Sequence, residues 1–161
     1  MTNRMVKAAL MMICLVSLAT ATVKPASRPA VGTWKLNVQK SSYGSMPAPK
    51  FEQLVVTTDK ADALKWSLKG IGADGKSYIS SYDGPIDGKD HAMMDSAAAG
   101  STIAYTRNAS GVQWVIRDKS GAVMETGASD LSADGKTLTL RGTTQGPNGK
   151  ESFVSVFERI Q

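Results

Sequence analysis

From residue 31 onward, apolar and polar residues take turns along short stretches of the chain, the two-residue period of strands with one buried face. Trp34, Leu36 and Val38 fall on one side of such a stretch, with Thr33, Lys35 and Asn37 on the other. Leu64, Trp66 and Leu68 oppose Lys65, Ser67 and Lys69, while Val112, Trp114 and Ile116 oppose Gln113 and Arg117. Phe153 and Phe157 share a face near the end. The pattern predicts about ten strands, near 32–38, 51–58, 63–70, 76–83, 88–95, 101–107, 112–118, 122–130, 136–143 and 151–160. No helical period of useful length occurs in this part of the chain.

The connections carry turn chemistry. Asp74-Gly75-Lys76, Asp87-Gly88, Ser110-Gly111, Ser120-Gly121, Asp134-Gly135-Lys136 and Asn148-Gly149-Lys150 are tight hairpin sequences. Successive hairpins make an antiparallel up-and-down meander, and a meander of this length must close or stack to hide its edges. The expected fold is therefore all-β, a barrel of about 8–10 strands. One connection is long. Gln39 to Lys50 (QKSSYGSMPAPK) could arch over a barrel end as a lid, but a plain loop is the favoured reading.

The beginning of the chain follows other rules. Arg4 and Lys7 precede an apolar run from Ala8 to Ala19, and Ala19-Thr20-Ala21 supplies a small-x-small cleavage pattern. Residues 1–21 are expected to be a cleaved Sec-type signal peptide, 22–30 a linker, and 31–161 the barrel domain. Cys14 lies inside the apolar run with Ile13 before it, so lipidation is not expected, and residues 22–161 contain no cysteine for a disulfide or thiol nucleophile. Export without disulfides fits a bacterial periplasm or the secreted fraction. No later stretch is apolar enough to span a bilayer as a helix, so no stable membrane insertion is expected after cleavage. Loss of Arg4 and Lys7 takes the net charge from +5 to +3, with 17 basic against 14 acidic residues. Lys60, Lys76, Lys89, Lys119, Lys136 and Lys150 are scattered at turns rather than gathered in a stripe, which disfavours nucleic acid as a partner. The oligomeric state is not written in the sequence.

Motifs of reaction chemistry are weak. Gly70-x-Gly72-x-x-Gly75 has a dinucleotide-binding spacing, but a strand follows it where a helix N-terminus is needed, so a hairpin is the reading. Asp83, Asp87 and Asp90 cluster around glycines without the ligand series of a calcium loop. Asn108-Ala109-Ser110 has glycosylation spacing but reads as a turn. His91 is the single histidine and could share a strand face with Asp95, with Ser80 or Ser101 as a nucleophile, yet no nucleophile elbow is present. No catalytic residue, metal site or cofactor is expected, and the protein is not expected to be an enzyme.

The interior is more informative. Same-face sets such as Tyr78, Ser80, Tyr82; Thr102, Ala104, Thr106; and Val123, Glu125, Gly127 mix apolar and polar residues, as a barrel around a ligand cavity tolerates. If Glu125 points inward it needs a partner, with Arg107, Arg117 or Arg141 as candidates. If the register shifts by one, Met124 is inside instead. Met93, Met94 and Met124 would suit a plastic lining.

Gly32-Thr33-Trp34 at the start of the first strand resembles the Gly-x-Trp signature of the calycin group, to which lipocalins and fatty-acid-binding proteins belong. In that group the tryptophan closes one barrel end under a basic residue of the last strand, which implies a structural pairing of Trp34 with Arg159. Trp34 to Asn37, Tyr43 to Lys50, the two Asp-Gly-Lys turns and Phe157 to Arg159 resemble an uncharacterised family of bacterial exported lipocalin-like proteins. The resemblance implies a β-barrel with small hydrophobic ligands as cargo, and no reaction. The two short helices of fatty-acid-binding proteins and their Arg-x-Tyr carboxylate site have no match here.

Three functions are compatible with this reading. The first is an exported binding protein holding a small hydrophobic or amphipathic ligand against Trp66, Tyr78, Tyr82, Met93, Tyr105, Trp114 and Glu125. The second is a non-catalytic structural or interaction module of the cell envelope with a filled barrel, and the third a hydrolase or isomerase on the same scaffold.

Overall fold

The computed structural model describes residues 29–108 and 111–160. The expected signal segment, Cys14 and most of the linker lie outside the described residues, as do Ala109 and Ser110 of the glycosylation-like triplet.

Eleven strands follow one another: β1 Gly32–Leu36, β2 Phe51–Asp59, β3 Ala63–Ile71, β4 Ser77–Pro85, β5 Asp90–Ala92, β6 Met94–Asp95, β7 Thr102–Asn108, β8 Gly111–Arg117, β9 Val123–Leu131, β10 Thr137–Gly146 and β11 Gly149–Arg159. They form one antiparallel sheet in the order β5-β7-β8-β9-β10-β11-β1-β2-β3-β4-β6. β1 links the chain's two arms, pairing Trp34 with Leu54 of β2 on one side and with Arg159 of β11 on the other. The two edge strands are halves of one stretch separated by Met93: β5 pairs with β7, and β6 pairs with β4. The stretch 90–95 thus changes neighbour halfway along and closes the ring. Each expected strand is present, and the fifth is the one divided in two.

Alternation does its work as the pattern predicts. Trp34, Leu36, Leu54, Val56, Leu64, Tyr82, Ile103, Tyr105, Val112, Leu138, Phe153 and Phe157 make the core, with Trp34, Phe157 and Ile103 most completely enclosed. Two bulges break the two-residue period. On β2, Val56 pairs with Trp66 and Thr58 with Lys65, leaving Thr57 as the extra residue. Asp59 therefore pairs with inward-facing Leu64 and turns inward itself. On β9, Glu125 pairs with Ile116 but Val123 with Arg117, so Met124 is the extra residue and Val123 leaves the face of Glu125. Along β7 the inward set is Ile103 and Tyr105, not Thr102, Ala104 and Thr106.

The hairpin turns are held by aspartates. Asp74 Oδ1 accepts the Lys76 N–H at 3.0 Å, and Asp134 Oδ1 accepts that of Lys136 at 3.0 Å. The glycine-rich stretch 70–75 is the β3–β4 hairpin.

The long connection 39–50 departs from the favoured plain loop. A 3₁₀ turn, Val38–Lys40, leads into Ser42, which exchanges backbone hydrogen bonds of 2.8 and 2.7 Å with Val154 of β11. Tyr43 Oη meets Ser155 Oγ at 3.0 Å, and Asn148 donates to Ser45 Oγ at 3.2 Å. The segment is fastened across the barrel mouth because its hydroxyls find partners on a strand more than a hundred residues away in sequence. Among the described residues no helix is long and apolar enough to cross a membrane.

Candidate ligand cavity

The barrel holds a half-open cavity of about 400 Å³. Its wall is mainly apolar and aromatic, built by Leu54, Val56, Leu64, Trp66, Leu68, Met93, Ile103, Tyr105, Val112, Trp114, Ile116, Leu138, Leu140, Phe153 and Phe157. Tyr43, Met46 and Pro47 of the loop add to the lining at the mouth.

One end is shut. The Arg159 guanidinium lies 4.1 Å from the centre of the Trp34 ring and is pinned by bonds of 2.7 Å to Gly135 O and 2.6 Å to Val31 O. A charged plane over an indole face is attractive in itself, and the carbonyls fix its position. Trp34 Nε1 donates to Ala30 O at 2.9 Å, and the Ala30 N–H in turn donates to Asp59 Oδ2 at 2.6 Å. The other Asp59 oxygen pairs with the Arg107 guanidinium, which also donates to Lys60 O at 2.8 Å. The Asp59 side chain is only 6% exposed, so its charge needs this partner.

The loop-covered end is built differently. Glu52, Asp95 and Glu125 all line the cavity there. Glu125 points inward, accepts the Trp114 indole N–H at 2.8 Å, and meets none of the three candidate arginines. Arg107 is bound to Asp59, Arg117 Nε lies 3.3 Å from Asp90 Oδ2, and Arg141 is exposed. Met124 is on the outside. Glu52 accepts a bond from the Tyr78 hydroxyl. Both arrangements need a glycine beneath an aromatic ring. A Cβ on Gly127 would lie 2.3 Å from the Trp114 ring, and one on Gly70 would lie 2.3 Å from that of Tyr78. Asp95 Oδ1 accepts the N–H groups of Ala97 and Ala98 at 2.7 and 3.2 Å.

Burial pushes the Glu52 carboxyl above the ordinary carboxylate range, against the opposing effect of the Tyr78 hydroxyl. Burial also raises Glu125; the Trp114 bond works against this, while the charges of Glu52 and Asp95 add to it. Tyr105 is raised chiefly by burial, and its hydroxyl accepts the Trp66 indole N–H at 2.8 Å.

Of the residues expected at a ligand, Trp66, Met93, Tyr105, Trp114 and Glu125 line the cavity. Tyr82 stands behind the wall, its ring 5.0 Å from that of Tyr105 and its hydroxyl donating to Pro85 O. Tyr78 reaches the cavity only through Glu52. His91 Nε2 lies 2.9 Å from Asp87 Oδ1, not beside Asp95, and the Ser101 hydroxyl donates to Ala98 O. Asp83 bonds Lys65, so the three aspartates of the calcium-like loop have separate partners, and no group of three metal-ligating side chains converges among the described residues.

Glu52, Asp59 and Asp95 are the acidic lining members that were not among the residues expected at a ligand. Glu52 shares the parity of Leu54 and Val56, so its inward direction was readable; Asp59 was hidden by the bulge.

No family model and no curated protein matches the chain. Among solved structures, a zebrafish ileal bile acid-binding protein complexed with cholic acid is similar, with a TM-score of 0.47 and 9% identity over 81% of this chain and 98% of that one. A likeness at that level carries no argument about the ligand of this barrel.

Proposed function

We propose that this protein is an exported, lipocalin-like binding protein that carries a small hydrophobic or amphipathic molecule in its barrel, in the bacterial periplasm or outside the cell. One observation carries the reading: a cavity of about 400 Å³ whose wall is largely apolar and aromatic. That volume falls within the range of small-molecule sites and exceeds the voids that ordinary packing leaves. The signal-like residues 1–21 support export, and the absence of cysteine from residues 22–161 suits a domain stabilised by its core alone.

Native mass spectrometry of the purified protein, followed by extraction and identification of what it releases, tests this. A single small molecule released on unfolding is the expected result. A protein that carries nothing, and whose Trp66 and Trp114 fluorescence is indifferent to added amphiphiles, would overturn the reading.

A further inference from the structure

The polar groups of the cavity are of one sign at one end. No lysine, arginine or histidine lines it among the described residues, whereas Glu52, Asp59, Asp95 and Glu125 do. Asp59 is neutralised by Arg107 at the Trp34 end. The other three acids lie together beneath the loop with no cation. Glu52 and Glu125 line the cavity, and each has one oxygen, Oε1, held by an aromatic donor, with no hydrogen bond to Oε2. Carboxyl groups so placed either keep their protons or need a positive charge brought to them.

We propose that the ligand is an amphipathic amine, its ammonium seated among Glu52, Asp95 and Glu125 and its apolar body against Trp66, Tyr105 and Trp114. This ligand class rests on the cavity-binding reading above. An ammonium has three donors and no acceptor, which suits a set of carboxylate oxygens. The indole and phenol faces nearby favour a cation as well as an alkyl chain. An anionic headgroup at the same place would face three acids and no donor of positive charge, so a fatty-acid carboxylate is the disfavoured cargo.

Three probes of equal chain length decide the matter: decylammonium, decanol and decanoate, titrated into the purified protein near neutral pH below their micelle concentrations. Calorimetry and tryptophan fluorescence report binding. Decylammonium is expected to bind at least about tenfold more tightly than decanol, with decanoate weakest; tenfold corresponds to about 1.4 kcal/mol. The double substitution Glu52→Gln, Glu125→Gln is expected to bring the amine-to-alcohol ratio close to one. Glutamine keeps an acceptor for Tyr78 and Trp114, and the single Glu125→Gln variant serves the same purpose should the double one fail to fold. Decanoate binding as tightly as decylammonium, or a ratio untouched by the substitutions, would overturn the amine while leaving the cavity reading intact. Failure of all three probes would overturn the cavity reading itself.

Discussion

The two ends of the barrel hold the same kind of group in opposite ways. At the Trp34 end, a buried carboxylate, Asp59, meets a guanidinium and a backbone N–H, and a second guanidinium seals the tryptophan from outside. Under the loop, Glu52 and Glu125 meet only a phenol and an indole, and each retains an unpartnered oxygen. At the first end the chain supplies the opposite charge itself, although the buried Arg107 Nε has no hydrogen-bond partner. The second is left open to something the chain does not contain. The matched charges answer each other within the chain, and recognition is available where charges are unmatched.

The sharpest way to break this contrast is to remove the cation of the matched end. Arg107→Ala leaves Asp59 buried and uncompensated, and is expected to cost about 3 kcal/mol in urea unfolding. Changing Asp59 and Arg107 together to apolar residues is expected to recover most of that loss, because no lone charge remains. At the unmatched end, Gly127→Ala would push the Trp114 ring off its seat and is expected to cost about 1–3 kcal/mol. It should also shift the tryptophan emission, since the indole N–H would lose Glu125.

The smallest expected effect is the most diagnostic. Burial raises the Glu52 and Glu125 carboxyls above their ordinary values, so the folded protein holds more protons than the unfolded chain between the ordinary and the raised pKa. The contribution of these two groups to stability should be fullest below the ordinary carboxyl range and fall as pH rises through that window, opposite in sign to that of the lowered Asp74, Asp87, Asp118, Asp134 and Glu158. Glu125→Gln should flatten the fall and leave the protein equally or more stable near neutrality, by on the order of 1 kcal/mol. A variant that instead loses stability at neutral pH would show that Glu125 is matched after all.

The strands were legible because alternation and Asp-Gly turns are local signals, each contained in a few residues. What was not legible depended on a change of period or on distant partners. The bulge at Thr57 turns Asp59 inward, and the one at Met124 separates Val123 from Glu125, yet neither residue type announces a bulge. Glu125 was left undecided between inside and outside because its donor, Trp114, comes from the neighbouring strand with a glycine making room. The loop 39–50 looked slack because Ser42 and Tyr43 find their partners on β11, far along the chain. Glu52 could have been found from the pattern of Leu54 and Val56.

The change of neighbour at Met93 has a mechanical meaning. A ring of continuous ladders resists widening at every point, but here β4 and β7 are joined only through short pieces of two and three residues. The stretch 90–95 is a clasp. Its few hydrogen bonds can part while the long ladders stay whole, so the barrel has a place to yield when a guest passes or when the wall must swell around it. Amide exchange should be fastest there, and should slow once the interior is filled.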